Sequence, residues 1–361
     1  MSRIIINHRV IASGHPAYVV AEMSANHHQD YDRAVRIIEA AKEAGADAIK
    51  LQTYTADTIT LNCDSKYFRI EGTLWDGRTL HDLYREAYTP WEWQPKLKII
   101  ADKLGLDLFS SPFDPTAVDF LERMGIPAYK VASSELVDIP LLKKIASVGK
   151  PIIMSTGMAT LGEIEEAVRT IRGAGCDQLA LLHCTSVYPA PPEDLHLRTL
   201  SHLAEAFSVP VGISDHSLGI EVAIAAVVLG ACIIEKHFTL SRSDHGPDSA
   251  FSLEPREFKA MVEAVRTIEK ALGVVKYGAS EREQISRRYR RSLFVVENVK
   301  AGEEFTEKNV KSIRPGDGLH PRYLSEVIGR TARCDVKKGT PLGWDLIGQP
   351  RPNTDCGSGE R

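Results

Sequence analysis

The sequence predicts an α/β fold: a (β/α)8 TIM barrel followed by a small β-rich domain. Three observations carry the prediction. Eight short apolar runs each end in polar residues, helical patterns lie between them, and the texture changes after about Leu272. Near-continuous apolarity suits strands buried on both faces of a parallel sheet, and alternation of such strands with helices builds a closed barrel.

The eight runs span 18–24, 48–54, 107–113, 128–133, 151–157, 179–185, 209–216 and 233–239. Between the first two, residues 32–44 place Ala34, Ile37, Ile38 and Ala41 on one helical face, with Gly45 as the C-cap. Asp114 and Pro115 read as an N-cap followed by proline at the first helical position, and Gly125 ends that segment. Thr160 and Glu163 have capping-box spacing ahead of Ile164, Ala167, Val168 and Ile171. An open, doubly wound sheet is the alternative, but no GxGxxG follows the first strand.

One connection is long. More than fifty residues separate the second and third runs, including GTLWDGRTLHDLYREAYTPWEW at 72–93. Such an insertion falls at the C-terminal face of a barrel, where active sites form. Its dense aromatic and charged residues favour a lid over a plain surface excursion. The expected division is a barrel at 1–272, a polar, basic linker at 273–290, a loop-rich β domain at 291–348 and a disordered tail at 349–361. The β domain is near the lower size limit for folding alone.

Composition narrows the classes. The 361 residues allow roughly two domains. At 43% hydrophobic and 25% charged, the chain is neither disordered, collagen-like nor a small disulfide scaffold. A net charge of −4 gives no global field for nucleic acid, and none is expected as a partner. No apolar run is long enough to span a membrane, and the N-terminus lacks a signal-peptide pattern. The six cysteines, at 63, 176, 184, 232, 334 and 356, form no CxxC and read as reduced thiols of a cytoplasmic protein.

Residues at the C-terminal ends of barrel strands converge on one mouth. In order, those ends carry Glu22, Ser24, Asn26 and His27; Lys50 and Gln52; Ser110 and Ser111; Lys130, Ser133 and Ser134; Ser155 and Thr156; His183, Thr185 and Ser186; Ser214, Asp215 and His216; Glu235 and His237. Lys50 and Lys130, with the hydroxyls of Ser111, Ser133, Ser186 and Ser214, make an anion site suited to phosphate and carboxylate. Pairing of either lysine with a barrel glutamate is the competing reading. His216 and His237 lie on adjacent strands, close enough to share a divalent metal with positions open to substrate. Two hydrogen-bonded core histidines are the alternative. Glu235 and Asp248 are candidate ligands or orienters. Glu22 is a candidate acid/base or sugar-hydroxyl binder, or an ion-pair partner of Lys50. Cys184, in an apolar strand, needs no special role.

Together AEMSANHH (21–28), IKLQTY (49–54), SSPFD (110–114), YKVASSE (129–135), STGMAT (155–160), LLHCTSVYP (181–189), GISDHS (212–217), IEKHFT (234–239) and GPDSAFS (246–252) resemble the sialic acid synthase family. IRPGDG (313–318) and KKGTPL (337–342) are similar to the antifreeze-like (SAF) domain those synthases carry. The resemblance runs from about residue 15 to 348. It implies condensation of phosphoenolpyruvate with an amino-sugar aldehyde, using a divalent metal such as Mn2+, Mg2+ or Co2+. N-acetylneuraminate-forming members usually carry G-x-N-H-N-G after the first strand, where this chain has Met23-Ser24-Ala25-Asn26-His27-His28. AEMSANH, the insertion and RRSLF…IRPGDGLHP look most like the pseudaminic-acid-forming branch, whose sugar is the diacetamido-trideoxyhexose 2,4-diacetamido-2,4,6-trideoxy-L-altrose. The N-acetylneuraminate and legionaminate branches are the alternatives.

By motif, the resemblance implies His216 and His237 as metal ligands. Lys50, Ser111, Lys130, Ser133, Ser186 and Ser214 become phosphoenolpyruvate contacts, and Ser186 stands where the family often has Asn. Glu22, Gln52, Tyr188 and Asp248 become groups around the sugar. Arg314 becomes the arginine that reaches the sugar's acyl group from a partner subunit, so a domain-swapped homodimer is implied. A Schiff-base lyase through Lys50 or Lys130 and a carbohydrate- or ice-binding protein are the more distant rivals.

Overall fold

The computed structural model describes residues 2–350. Residues 351–361, most of the expected tail and Cys356 with it, lie outside the described residues. The chain divides into two compact units, one ending at Gly273 and one beginning at Val274.

The first unit opens with a hairpin of β1 (Ile4–Ile6) and β2 (Arg9–Ile11) that the sequence reading missed. Three-residue strands are too short to show a period. Asn7 and His8 turn the chain with φ of 43° and 69°, the backbone pattern of a two-residue primed turn. Ile4, Ile6 and Ile11 are buried. Ile5 N–H bonds Gln178 Oε1 at 3.0 Å and Asn7 Nδ2 bonds Asp107 Oδ1 at 2.7 Å, so the hairpin packs at the N-terminal ends of the barrel strands.

Eight parallel strands then close a barrel: β3 (Tyr18–Glu22), β4 (Ala48–Thr53), β5 (Asp107–Pro112), β6 (Tyr129–Val131), β7 (Ile152–Ser155), β8 (Leu179–Cys184), β9 (Val211–Asp215) and β10 (Ile233–His237). β10 pairs with both β9 and β3. Each strand falls inside an expected run and is shorter than it, because the polar residues at the run's end leave the ladder for the mouth. The main crossover helices are Tyr31–Glu43, Gln94–Leu104, Pro115–Met124, Ile139–Ala146, Leu161–Gly173, Thr199–Phe207, Glu221–Val228 and Pro255–Leu272. The start signals act as read. Asp114 accepts from the Thr116 and Ala117 N–H groups, and Thr160 and Glu163 form a reciprocal capping box. Ala44, not Gly45, is the cap of the first helix; Gly45 follows at φ 89°, the left-handed turn that glycine takes without strain.

The insertion after β4 holds the short helices Ala56–Ile59 and Leu80–Ala87. It is tied down at both ends. Trp91 Nε1 donates to the Tyr54 carbonyl and Gln29 Nε2 donates to the Glu86 and Tyr88 carbonyls.

In the second unit the expected linker contains a helix, Glu281–Arg287, started by a Ser280–Glu283 capping box. The three-residue spacing of that box is legible in the sequence, but the surrounding charge masks it. β11 (Ser292–Val295) pairs with β12 (Val310–Ile313), and β13 (Arg330–Ala332) with β14 (Ile347–Pro350). They enclose a small core that includes Leu293, Val295, Phe305, Val310, Leu342 and Ile347. β14 runs to Pro350, so the tail cannot begin at 349 as expected. Among the described residues, no helix is long and apolar enough to cross a membrane.

Gly212 lets β9 pack closely against both of its neighbours. A Cβ there would collide with the Ile233 carbonyl and the Leu182 side chain. Gly212→Ala should cost about 1–3 kcal/mol through overpacking. At roughly 2–4 °C per kcal/mol the loss is readable as a lowered Tm in calorimetry. An unchanged Tm would mean that the strands part easily there.

Candidate active site

The barrel register builds the site. His237 is level with Glu22, Glu22 with Lys50, Gln52 with Ser111, and Ser214 with Glu235. Side chains of alternate residues point to the same face, so Glu22, Lys50, Lys130, Ser214 and Glu235 gather in the interior, all buried.

Charges there are paired. Lys50 Nζ lies 2.6 Å from Glu22 Oε2 and 3.6 Å from Glu235 Oε1, and donates to Ser111 Oγ at 3.4 Å. Lys130 Nζ lies 3.8 Å from the same Glu235 oxygen and donates to Ser155 Oγ at 2.7 Å and the Val131 carbonyl at 2.9 Å. Ser214 Oγ donates to Glu235 Oε1 at 3.2 Å. The lysines therefore do face glutamates, the competing reading above, yet both remain on one surface where an anion could displace those partners. Burial and Glu235 push Glu22 up to about 7 against the pull of Lys50. Burial also works to raise Glu235, but the two ammoniums outweigh it and hold it below the usual carboxylate range. Burial lowers Lys130, while the two carboxylates raise Lys50 despite its burial.

Around this cluster stand the other expected residues. Gln52 Nε2 donates to Glu22 Oε1 and to Ser24 Oγ, each at 3.1 Å. Asp248 accepts from the Ser24 hydroxyl and from the Ala25 N–H. Ser133 Oγ accepts from Gly157 N–H at 3.1 Å, and Ser186 Oγ is 3.8 Å from Cys184 Sγ. Gly157 is required here: a Cβ would overlap both the Ser186 and the Ser133 hydroxyls. Tyr188 stacks at 4.3 Å on His216 and lies 5.0 Å from the Phe251 ring.

His216 and His237 sit edge to face with ring centroids 5.3 Å apart. His216 Nδ1 faces the Thr185 carbonyl at 3.0 Å, which makes it the protonated nitrogen and leaves Nε2 free as a donor to a ligand. His237 Nδ1 is buried with no hydrogen-bond partner. Burial and His216 hold His237 well below the usual imidazole value, in the neutral form a metal needs. This donor set fits a divalent ion. Among the described residues no group of three or more His, Cys, Asp or Glu side chains is assembled to hold one, so the fit rests on the two imidazoles with open positions left. Glu235 and Asp248, weighed above as ligands, are instead engaged by the lysines and by Ser24.

Several strand-end residues do not point into the mouth. Ser110 Oγ bonds Thr53 Oγ1 at 2.6 Å, His27 Nε2 bonds Thr89 at 3.2 Å, His183 bonds the Leu195 carbonyl at 2.5 Å, and Asp215 pairs with Lys236 at 2.7 Å. Neighbouring residues of a strand face opposite sides, so no two adjacent strand residues can both line the pocket. Arg314 belongs to the second unit, where it lines a cavity of about 590 Å³ with Tyr289, Arg290, Arg291 and His320 and no acidic side chain.

At three residues the structure adds to the sequence reading, which left Trp75 and Glu135 unnamed and gave Cys184 no special role. Cys184 Sγ lies 3.8 Å from His216 Nδ1; burial raises the thiol, but His216 and Lys130 outweigh it and leave it at about 7. Trp75, from the insertion, donates its indole N–H to the Pro247 carbonyl at 3.0 Å and lies 5.8 Å from the Tyr188 ring. That places this part of the insertion beside the mouth. Glu135 has a buried oxygen with no partner, and burial pushes its carboxyl up to about 7. It closes the YKVASSE motif, whose lysine was read while its glutamate was not.

A closed parallel barrel with paired lysines, two neighbouring imidazoles and a ring of hydroxyls at its C-terminal mouth has the architecture of a barrel enzyme. The chain belongs to the NeuB family, the sialic acid synthase family its motifs resemble: the family model matches residues 37–277, and an SAF domain model matches 290–348. Pseudaminic acid synthases of Helicobacter pylori and Campylobacter jejuni are 45% and 46% identical over 333 and 325 residues, covering 92% and 90% of this chain and 98% and 95% of theirs. The N,N'-diacetyllegionaminic acid synthase of Campylobacter jejuni is more distant, at 38% over 325 residues, covering 89% of this chain and 97% of its own. A crystal structure of N-acetylneuraminic acid synthetase from Leptospira borgpetersenii, in complex with citrate, superposes with a TM-score of 0.71 at 32% identity, covering 79% of this chain and 95% of that one.

Glu135 gives a signed pH prediction. Its carboxyl is held above its ordinary value, so the folded state binds that proton more tightly than the unfolded state. The stability this adds is fully present below about pH 4.5 and lost as pH rises through about 7. Glu135→Gln should therefore gain stability over the parent as pH rises from 5 to 8, by up to about 3 kcal/mol. Urea unfolding at both pH values measures it, and a difference independent of pH would refute the burial account.

Proposed function

We propose that this enzyme is a pseudaminic acid synthase, joining phosphoenolpyruvate, 2,4-diacetamido-2,4,6-trideoxy-L-altrose and water into pseudaminic acid and inorganic phosphate. The observation that carries the reading is the meeting of Lys50 and Lys130 with His216 and His237 at one barrel mouth. The relatives of that name, at 45% and 46% identity over most of both chains, support the choice of sugar.

In this reading Lys50 and Lys130 hold the carboxylate and phosphate of phosphoenolpyruvate. The hydroxyls of Ser111, Ser133, Ser186 and Ser214 direct its oxygens. The anion replaces glutamate contacts on the lysines, and the raised carboxyl of Glu22 lets it give way by taking a proton. His216 and His237 would hold the divalent ion. When bound, that ion supplies Lewis acidity toward the sugar's carbonyl oxygen. Carbon 3 of phosphoenolpyruvate bonds to the aldehyde carbon as the enol pair moves, leaving positive charge at carbon 2. Water adds there, and the C–O bond to phosphate then breaks. Glu22 and Glu135, both held near neutrality, can take a proton from the entering water and return one to the departing phosphate. Gln52, Asp248 and Tyr188 surround the sugar, with Trp75 beside Tyr188. Holding both reactants in register supplies the entropic advantage. The five described cysteines are free thiols, which suits a reducing, cytoplasmic compartment.

One assay tests the reading: phosphate release from phosphoenolpyruvate over a panel of acetamido sugars, with and without chelator. Release with the diacetamido altrose, lost on chelation, is expected. His216→Ala or His237→Ala should lower that rate by more than about 100-fold with the fold intact by circular dichroism. Release only with N-acetylmannosamine or with the legionaminate precursor would overturn the choice of sugar. Near-normal rates in the alanine variants would overturn the metal role.

Arg314 of the partner subunit completes the sugar site in this reading, within a domain-swapped homodimer. Sedimentation should give a two-chain species, and Arg314→Ala should raise the KM for the sugar while leaving that for phosphoenolpyruvate. A monomer with full activity would exclude it.

A further inference from the structure

β9 and β10 carry a second pair of charges that the proposed chemistry does not use. Asp215 and Lys236 stand opposite each other in the ladder, with both side chains wholly buried. They face away from the Ser214–Glu235 pair that the same two strands send into the mouth. Lys236 Nζ donates to Asp215 Oδ2 at 2.7 Å and to the Ser217 carbonyl at 2.6 Å. Asp215 Oδ1 accepts from the Ser217 N–H at 2.9 Å and from its hydroxyl at 2.6 Å.

The positions of these three residues are informative. Asp215 and Ser217 flank His216, and Lys236 immediately precedes His237. The β9–β10 ladder ends at the Asp215–Lys236 pair, so no backbone pairing joins His216 to its neighbouring strand. Beyond that point the side chains take over: one ammonium grips the residues on both sides of His216 from the strand that bears His237. Each histidine has other anchors: the Ala190 N–H on the His216 carbonyl and the Thr185 carbonyl on His216 Nδ1, both at 3.0 Å, and, for His237, the Leu253 N–H on its carbonyl at 2.9 Å and the ladder to β3, where it is level with Glu22. None of these joins β9 to β10. Packing alone does not call for a buried ion pair, because apolar side chains of similar volume commonly serve as well. Directional bonds at both flanks of one histidine are what this pair adds.

We propose that Asp215, Ser217 and Lys236 form a positioning clip that fixes the spacing and orientation of His216 and His237 for one shared divalent ion. The inference rests on the two-histidine metal reading above and goes beyond it, since none of the three residues touches the ion or either substrate. It predicts that the clip sets metal affinity while leaving phosphoenolpyruvate binding alone.

The test is Mn2+ titration calorimetry on the full chain, with Tm and phosphoenolpyruvate binding in chelator recorded alongside. In Asp215→Asn/Lys236→Met, Asn still accepts from Ser217 and Met fills the lysine's space. The Mn2+ Kd should weaken by about 10- to 100-fold, the range for residues that orient metal ligands, with phosphoenolpyruvate affinity unchanged. A folded double variant with the parent's Mn2+ Kd overturns the clip, as does one that loses both affinities equally. Should the double variant fail to fold, Asp215→Asn alone, which keeps shape and removes the charge, decides on the same readout. If the parent takes up no Mn2+, or His216→Ala takes up as much, the two-histidine reading falls. That outcome is separable from a parent that binds and a clip variant that binds equally.

Discussion

Two ammoniums and two carboxylates share the inside of this barrel, and the rest of the site is arranged around keeping them there. Each charge is costly to bury and is tolerated because it is paired. Glu235 is the hub, within 4 Å of both Lys50 and Lys130. A pocket built this way holds two cations and two carboxylates on one buried surface. Glu22 and Glu135 give it room to adjust, since both lie near the point of protonation at neutral pH.

Holding the mouth open requires that the loops around it be fixed. The segment after β3 does much of this. Asn26 donates to the Phe238 carbonyl and to Ser252 Oγ, each at 3.0 Å, and accepts from Ser249, which ties the first loop of the barrel to the last. His27 and Gln29 hold the end of the insertion. Ser24, His28 and Gln29 take positive φ in this stretch, so the chain reverses sharply enough to reach both neighbours. Departures from the family's usual sequence in this loop therefore act on the rim of the barrel mouth.

The two faces of β9 and β10 divide the labour. Ser214 and Glu235 face the barrel interior, while Asp215 and Lys236 face away from it, one residue from the imidazoles.

The sequence by itself determined the eight strands, their order and the helices that begin near 31, 115 and 161, because apolar runs and capping pairs are local signals set by backbone chemistry. It also placed nearly all the polar groups of the mouth, since in a parallel barrel the C-terminal end of every strand meets the others. Only the tertiary structure decided which of two adjacent polar residues faces inward. It sent Ser110 to Thr53, His183 to Leu195 and Asp215 to Lys236, because that choice depends on where each strand leaves the ladder. It alone brought Trp75 beside Tyr188, gave Cys184 its histidine neighbour and left Glu135 without a partner. Those contacts join segments far apart in the chain, and no local pattern records them.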